Sequence, residues 1–224
     1  MQHLPRLIAV LVMAPLQALP AQSNDEDFEA WQQVIVSTEL RPGTTANMEV
    51  QTRFDDDASR FNQLLLRPSI GFKIWENVEL SLGYAYVLTD PTDGPDTYEN
   101  RIWEQISLPI LTRPGAFTLS NRTRLEQRFR DDETSWRLRE QLRLVIPIGQ
   151  PGVDLVGWSE VFFNLNDTDW AGEAGFDRWR NFAGIGFALS PGMRLEPGYM
   201  NQLVNRPSGD TVDHILNVTL NVRY

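Results

Sequence analysis

The sequence predicts an all-β protein, a transmembrane antiparallel up-and-down β-barrel of 10 to 12 strands. Three observations carry this reading: apolar and polar residues alternate along 11 segments, tight and longer connections take turns between them, and the chain opens with an export signal. Most of these segments run 11 to 15 residues, whereas strands of soluble sheets average about five or six. A tilted strand needs about 9–11 residues to cross a bilayer.

At the N-terminus MQHLPR is short and basic, LIAVLVMAPLQAL is a mostly apolar run of 13, and Ala21 offers a small residue for cleavage. That is the layout of a secretory signal peptide. Residues 1–21 are therefore expected to be removed, 22–27 to form a polar leader, and 28–224 to form the barrel. No later stretch approaches 18 consecutive apolar residues. A membrane-spanning helix is excluded by this, but barrel strands are not, because their alternation escapes hydropathy windows.

The first two segments, 28–40 and 46–54, set Val34, Val36, Thr38, Leu40 against Gln33, Ser37, Glu39, then Met48, Val50, Thr52, Phe54 against Asn47, Glu49, Gln51, Arg53. Segment 61–75 sets Leu64, Leu66, Ile70, Phe72 against Gln63, Arg67, Ser69, Lys73, and 77–90 places Leu80, Leu82, Tyr84, Tyr86 opposite Glu79 and Ser81. The same period continues through 98–112, 117–129, 135–149, 153–167, 177–190, 193–204 and 211–224. Repeated period-2 alternation is the mark of strands with two unlike faces.

Tight connections are expected at 41–44, 75–77, 113–116, 149–152 and 190–193, with longer polar ones at 55–59, 90–97, 131–135, 166–175 and 205–210. Such alternation suits a barrel with short periplasmic turns and longer external loops. The last segment ends Val218, Leu220, Val222, Tyr224, which resembles the C-terminal assembly signal of bacterial outer-membrane barrels. The strand count leaves a question of parity. Eleven strands would close in parallel, so either 28–40 adds to or tucks into a ten-strand barrel, or there is a twelfth strand.

The formal net charge is −10, which argues against a nucleic-acid partner. Nineteen of the 20 basic residues are Arg, with Lys73 the exception. Arg is favoured where planar, multi-donor pairing in a confined place is wanted. With no Cys, and only His3 and His214, neither a metal site nor a cofactor is expected.

The stretch NRTRLEQRFRDDETSWRLREQLRLV at 121–145 concentrates the arginines. One row holds Leu119, Thr123, Leu125, Phe129, Trp136, Leu138, Leu142 and Leu144; the other holds Arg122, Arg124, Glu126, Arg128, Arg137, Arg139, Gln141 and Arg143. Asn121, Gln127 and Glu140 break the apolar row. A helix would scatter these arginines around its circumference, so period 2 prevails. The expected lumen-lining set is Arg122, Arg124, Glu126, Arg128, Arg137, Arg139, Arg143, Glu160, Asn164, Arg180 and Glu196. These groups either form a polar network that fills a narrow barrel or touch a passing solute.

Catalysis finds little footing in the sequence. A Ser–His–acid set would have to use His214, and a Glu126–Glu160 dyad would be held ionised by the surrounding arginines. The expectation is a protein that is not an enzyme.

NRTRLEQRF, WRLREQLRL, SEVFFNLND, FDRWRNFAGIGFALSPGMRLEPGYMNQ and HILNVTLNVRY resemble the bacterial family known as domain of unknown function 2490, over roughly Trp31 to Tyr224. One departure is Trp179 before Arg180, where the pattern leads one to expect a small polar residue. The resemblance implies an exported outer-membrane β-barrel of a Gram-negative bacterium, with no assigned activity. Its expected partners are outer-membrane lipid, the barrel-assembly machinery during biogenesis and a small polar or anionic solute. Its expected role is a structural envelope protein or a narrow channel. The alternatives are a lipid-modifying outer-membrane hydrolase and a soluble periplasmic β-sandwich that binds a ligand.

Overall fold

The computed structural model describes residues 26–206 and 209–224. The expected signal peptide, residues 1–21, lies outside the described residues. Eleven strands follow one another: β1 (Glu26–Arg41), β2 (Thr44–Asp55), β3 (Arg60–Trp75), β4 (Val78–Thr89), β5 (Thr97–Arg113), β6 (Phe117–Arg130), β7 (Glu133–Pro147), β8 (Val153–Asn164), β9 (Gly175–Ser190), β10 (Met193–Val204) and β11 (Thr211–Arg223). They close into one barrel in sequence order. At about 3.3 Å per residue, strands of 12 to 17 residues reach across a hydrocarbon layer even when tilted.

Closure settles the parity question. β1 pairs with β11 in parallel, from Glu26 opposite Val212 to Ser37 opposite Arg223. Every other neighbouring pair is antiparallel. An odd number of up-and-down strands can close in no other way. The backbone N–H of Tyr224 donates to Ser37 O at 3.0 Å and extends the seam by one bond. β1 also begins at Glu26, so the barrel takes in the last two residues assigned to the polar leader.

Turn lengths follow the expected alternation less strictly than the sequence suggests. Only Asp131 and Asp132 separate β6 from β7, with φ of 51° and 64°. Asp tolerates the left-handed region, and two such residues form the tight turn whose twist suits a hairpin. The expected 131–135 loop is therefore short, and Glu133, Thr134 and Ser135 belong to β7.

Polar contacts between strands that are not neighbours can only run through the interior, and they fix which row points inward. Arg122 of β6 reaches Glu160 of β8 at 2.6 Å, Arg143 of β7 reaches Glu196 of β10 at 2.7 Å, and Arg194 of β10 reaches Asp154 of β8 at 2.6 Å. The opposite rows carry the exposed apolar residues, among them Leu82, Ile102, Leu142, Ile185 and Leu216. Two apolar clusters help fill the interior: Trp31, Val156, Phe182, Met200 and Ile215, and Leu65, Ala85, Val87 and Trp103. Trp103 lies flat against Gly83, where a Cβ would meet its ring at 2.1 Å.

Candidate functional site

The inner rows enclose a cavity of about 500 Å³, lined by eight arginines but only three glutamates. All 11 residues of the expected lumen set lie on inner rows, and they divide by depth. Glu126 and Glu160 are the most enclosed acids. Arg139 bridges them, 2.6 Å from Glu126 and 2.9 Å from Glu160. Arg122 adds a second contact to Glu160, and Arg124 stands 3.8 Å from Glu126. Nearer the loop rim, Arg128 is 2.6 Å from Glu99, and Arg137 is 3.4 Å from Asp177. Arg137 Nε also donates to Asn164 Oδ1 at 3.1 Å. Nearer the short-turn rim, Arg143 and Arg194 share Glu196, both at 2.7 Å.

Arg180 behaves differently. Its Nε donates to Gln202 Oε1 at 2.6 Å, and its guanidinium lies over Trp31 at 4.8 Å and over Phe162 at 4.6 Å. Arg53 approaches the same Trp31 ring at 3.7 Å and donates to Gln51 and Gln63. Trp31 thus holds two cations by its π-face where a carboxylate would otherwise be required. The alternation places Arg53 and Arg67 in the polar rows of their strands, yet neither is singled out by sequence. Trp31 gives no signal, because nothing local says that two arginines converge on it from β2 and β9.

Accessibility is graded along the axis. The side chains of Arg122, Arg143 and Arg194, towards the short turns, are 26%, 28% and 27% exposed, whereas those of Arg124 and Arg139 are 7%. At the other rim the 165–174 connection folds over the mouth. Asn164 Nδ2 donates to Ala171 O at 2.9 Å, and Trp170 lies against Arg128 at 4.6 Å. The cavity therefore communicates mainly with the short-turn side.

Within its wall, Arg67 Nε, Arg122 Nε and Arg194 Nη2 are buried without a hydrogen-bond partner among the described residues. The guanidiniums of Arg122, Arg143 and Arg194 keep partial exposure, and their accessible N–H groups can donate to acceptor oxygens in the cavity. Among the described residues no group of three or more His, Cys, Asp or Glu could hold a metal ion.

A closed sheet of long strands with an apolar outer wall and a charged interior is an outer-membrane β-barrel. The solved structure of LpxR from Salmonella typhimurium superimposes with a TM-score of 0.54, covering 85% of this chain and 87% of that one at 8% identity. At that identity the likeness is one of fold. The chain belongs to the family described as Protein of unknown function (DUF2490), whose profile matches residues 28–213. An uncharacterised protein of Methylorubrum extorquens is 36% identical over 231 residues, spanning all of this chain and 99% of the relative. The match to LpxR corrects the expectation of a protein that is not an enzyme. LpxR is an enzyme of the outer membrane, so this fold gives no ground for excluding catalysis.

Proposed function

We propose that the barrel takes small polar anions into its arginine-lined lumen from the short-turn rim, the periplasmic one, and that the 165–174 loop closes the external rim. The carrying observation is the charge imbalance around the cavity: eight arginines against three glutamates. Glu126 and Asp154, just behind the wall, reduce that surplus but do not cancel it. Uncompensated like charge in a confined space is costly, and an anion with several acceptor oxygens relieves it by accepting from the partly exposed guanidiniums of Arg122, Arg143 and Arg194. Rings of basic side chains favour anions in pores for the same reason. A Gram-negative outer membrane and export by the N-terminal signal complete this reading.

The test is ligand-dependent stability of the refolded barrel in detergent. Inorganic phosphate is compared with chloride at equal ionic strength, in the natural sequence and in the double variant Arg53→Gln, Arg180→Gln. Binding to the folded state raises the unfolding midpoint, so phosphate should raise it in the natural sequence and much less in the variant. An equal phosphate effect in both would mean that a general salt effect acts and the lumen does not bind.

A further inference from the structure

The lumen has two unlike sides. Six of the eight arginines that line the cavity stand on β2, β3, β6 and β7. All its apolar side chains, Trp31, Ile35, Trp158, Phe182 and Met200, stand instead on one arc of the barrel, from β8 through β11 to β1. Packing accounts for part of that arc. Trp31, Phe182 and Met200 are each at most 5% exposed and belong to one interior cluster. Trp158 differs: it is only partly buried, although Val156 and Glu160, on either side of it in the same inward row, are almost completely enclosed. Its exposure is therefore to the lumen.

Glycines make the shelf on which Trp158 lies. Gly184 and Gly198 leave the inner faces of β9 and β10 bare, and the Phe182 ring lies across both, where a Cβ on either would stand 2.5 Å from it. Trp158 stacks on Phe182, with ring centroids 5.3 Å and planes 13° apart. Among the described residues no guanidinium lies over Trp158, although arginines cover the rings of Trp31, Trp103 and Phe162. The cations are beside it instead. Arg143 stands directly opposite Trp158 in the β7–β8 register. The Arg194 guanidinium lies across Gly186, the inward position next to Gly184.

An inorganic anion has no use for a stacked aromatic pair. Sites for small organic ligands span about 300–1,000 Å³ and set a few placed polar groups against apolar and aromatic walls. A cavity of about 500 Å³ with this division of its lining is of that kind.

We propose that the anion taken into the lumen is an aromatic carboxylate. Its ring lies on the face of Trp158 turned away from Phe182, and its carboxylate accepts from Arg143 and the neighbouring Arg122 and Arg194. This rests on the reading of the lumen as an anion site and adds that the ligand has a flat apolar body.

The experiment is isothermal titration calorimetry of the refolded barrel in detergent, with empty micelles as the blank. The probes are benzoate, cyclohexanecarboxylate, acetate and inorganic phosphate at equal ionic strength. Benzoate should bind about tenfold more tightly than acetate, the worth of one stacked ring. It should also lead cyclohexanecarboxylate, whose puckered ring cannot stack. Trp158→Leu should bring benzoate down to the level of acetate, and Trp158→Phe should keep most of the preference. The heat-dependent gel shift of a folded barrel checks each variant. In the natural sequence, benzoate binding no better than acetate or cyclohexanecarboxylate would overturn the proposal, and so would an undiminished preference in folded Trp158→Leu. Phosphate and acetate binding with no preference for benzoate would leave the lumen an anion site and remove only the aromatic ligand. Failure of all four anions to bind would remove both.

Discussion

Arg139 grips Glu160 through two parallel hydrogen bonds, Nε to Oε1 at 3.0 Å and Nη2 to Oε2 at 3.1 Å. The pair is fully enclosed by the barrel, and Glu160 also takes Arg122 at 2.6 Å. The two partners are not equivalent. Removing Glu160 leaves Arg139 its 2.6 Å contact with Glu126, whereas removing Arg139 takes from Glu126 its nearest cation, the next ones standing at 3.8 Å, and leaves Glu160 with Arg122 alone.

Arg139→Met should therefore cost about 3–5 kcal/mol of unfolding free energy, the usual penalty for breaking a buried pair. Glu160→Gln should cost distinctly less. Urea unfolding in lipid vesicles measures both, and equal losses would mean that Arg139 does not bridge the two carboxylates.

The contact between Trp103 and Gly83 makes a second prediction. A Cβ at Gly83 would stand 2.1 Å from the indole ring, and a ring packed with Leu65, Ala85 and Val87 has little room to retreat. Gly83→Ala should cost about 1–3 kcal/mol, as overpacking does. Combining it with Trp103→Leu should recover part of that loss, and a double-mutant cycle reads the coupling. Purely additive costs would show that the ring moves aside freely.

The parallel seam can be tested by cross-linking. Gln33 faces Thr219 across it, and Thr219 Oγ1 donates to Gln33 Oε1 at 3.1 Å. The chain has no Cys, so the background is clean. The pair Gln33→Cys, Thr219→Cys should form a disulfide on mild oxidation, since neighbouring strands hold Cα atoms within bonding range. Gln33→Cys with Gln51→Cys, across the antiparallel β1–β2 pair, is the positive control. If the control cross-links and the seam pair does not, the barrel closes on ten strands with β1 bound to its edge.

Much of this architecture is legible in the sequence, because period-2 alternation is a local property. Every residue from Arg122 to Arg143 on the polar row keeps its phase without reference to distant strands. Pairing across the lumen is not local. Nothing near Glu160 says that Arg122 and Arg139 will meet it, and nothing near Trp31 predicts Arg53 and Arg180. Three features escape for similar reasons. The Asp131–Asp132 turn looks like a longer loop because acidic residues suit both. Trp170 looks like an ordinary loop residue until the 165–174 segment folds inward. The departure at Trp179 makes sense only once Ser159 is seen beside it on the outer wall.

The surplus of arginines over glutamates around the lumen is the centre of the functional account, and ion selectivity reads it most directly. With residues 167–173 shortened to a tight turn, the external rim is no longer covered by Trp170, and the refolded barrel should conduct in a planar bilayer. Under a tenfold KCl gradient its reversal potential should take the sign of chloride selectivity. Arg53→Gln with Arg180→Gln should move that potential towards zero. A cation-selective reversal potential, or a loop-shortened barrel that stays silent, would contradict the account.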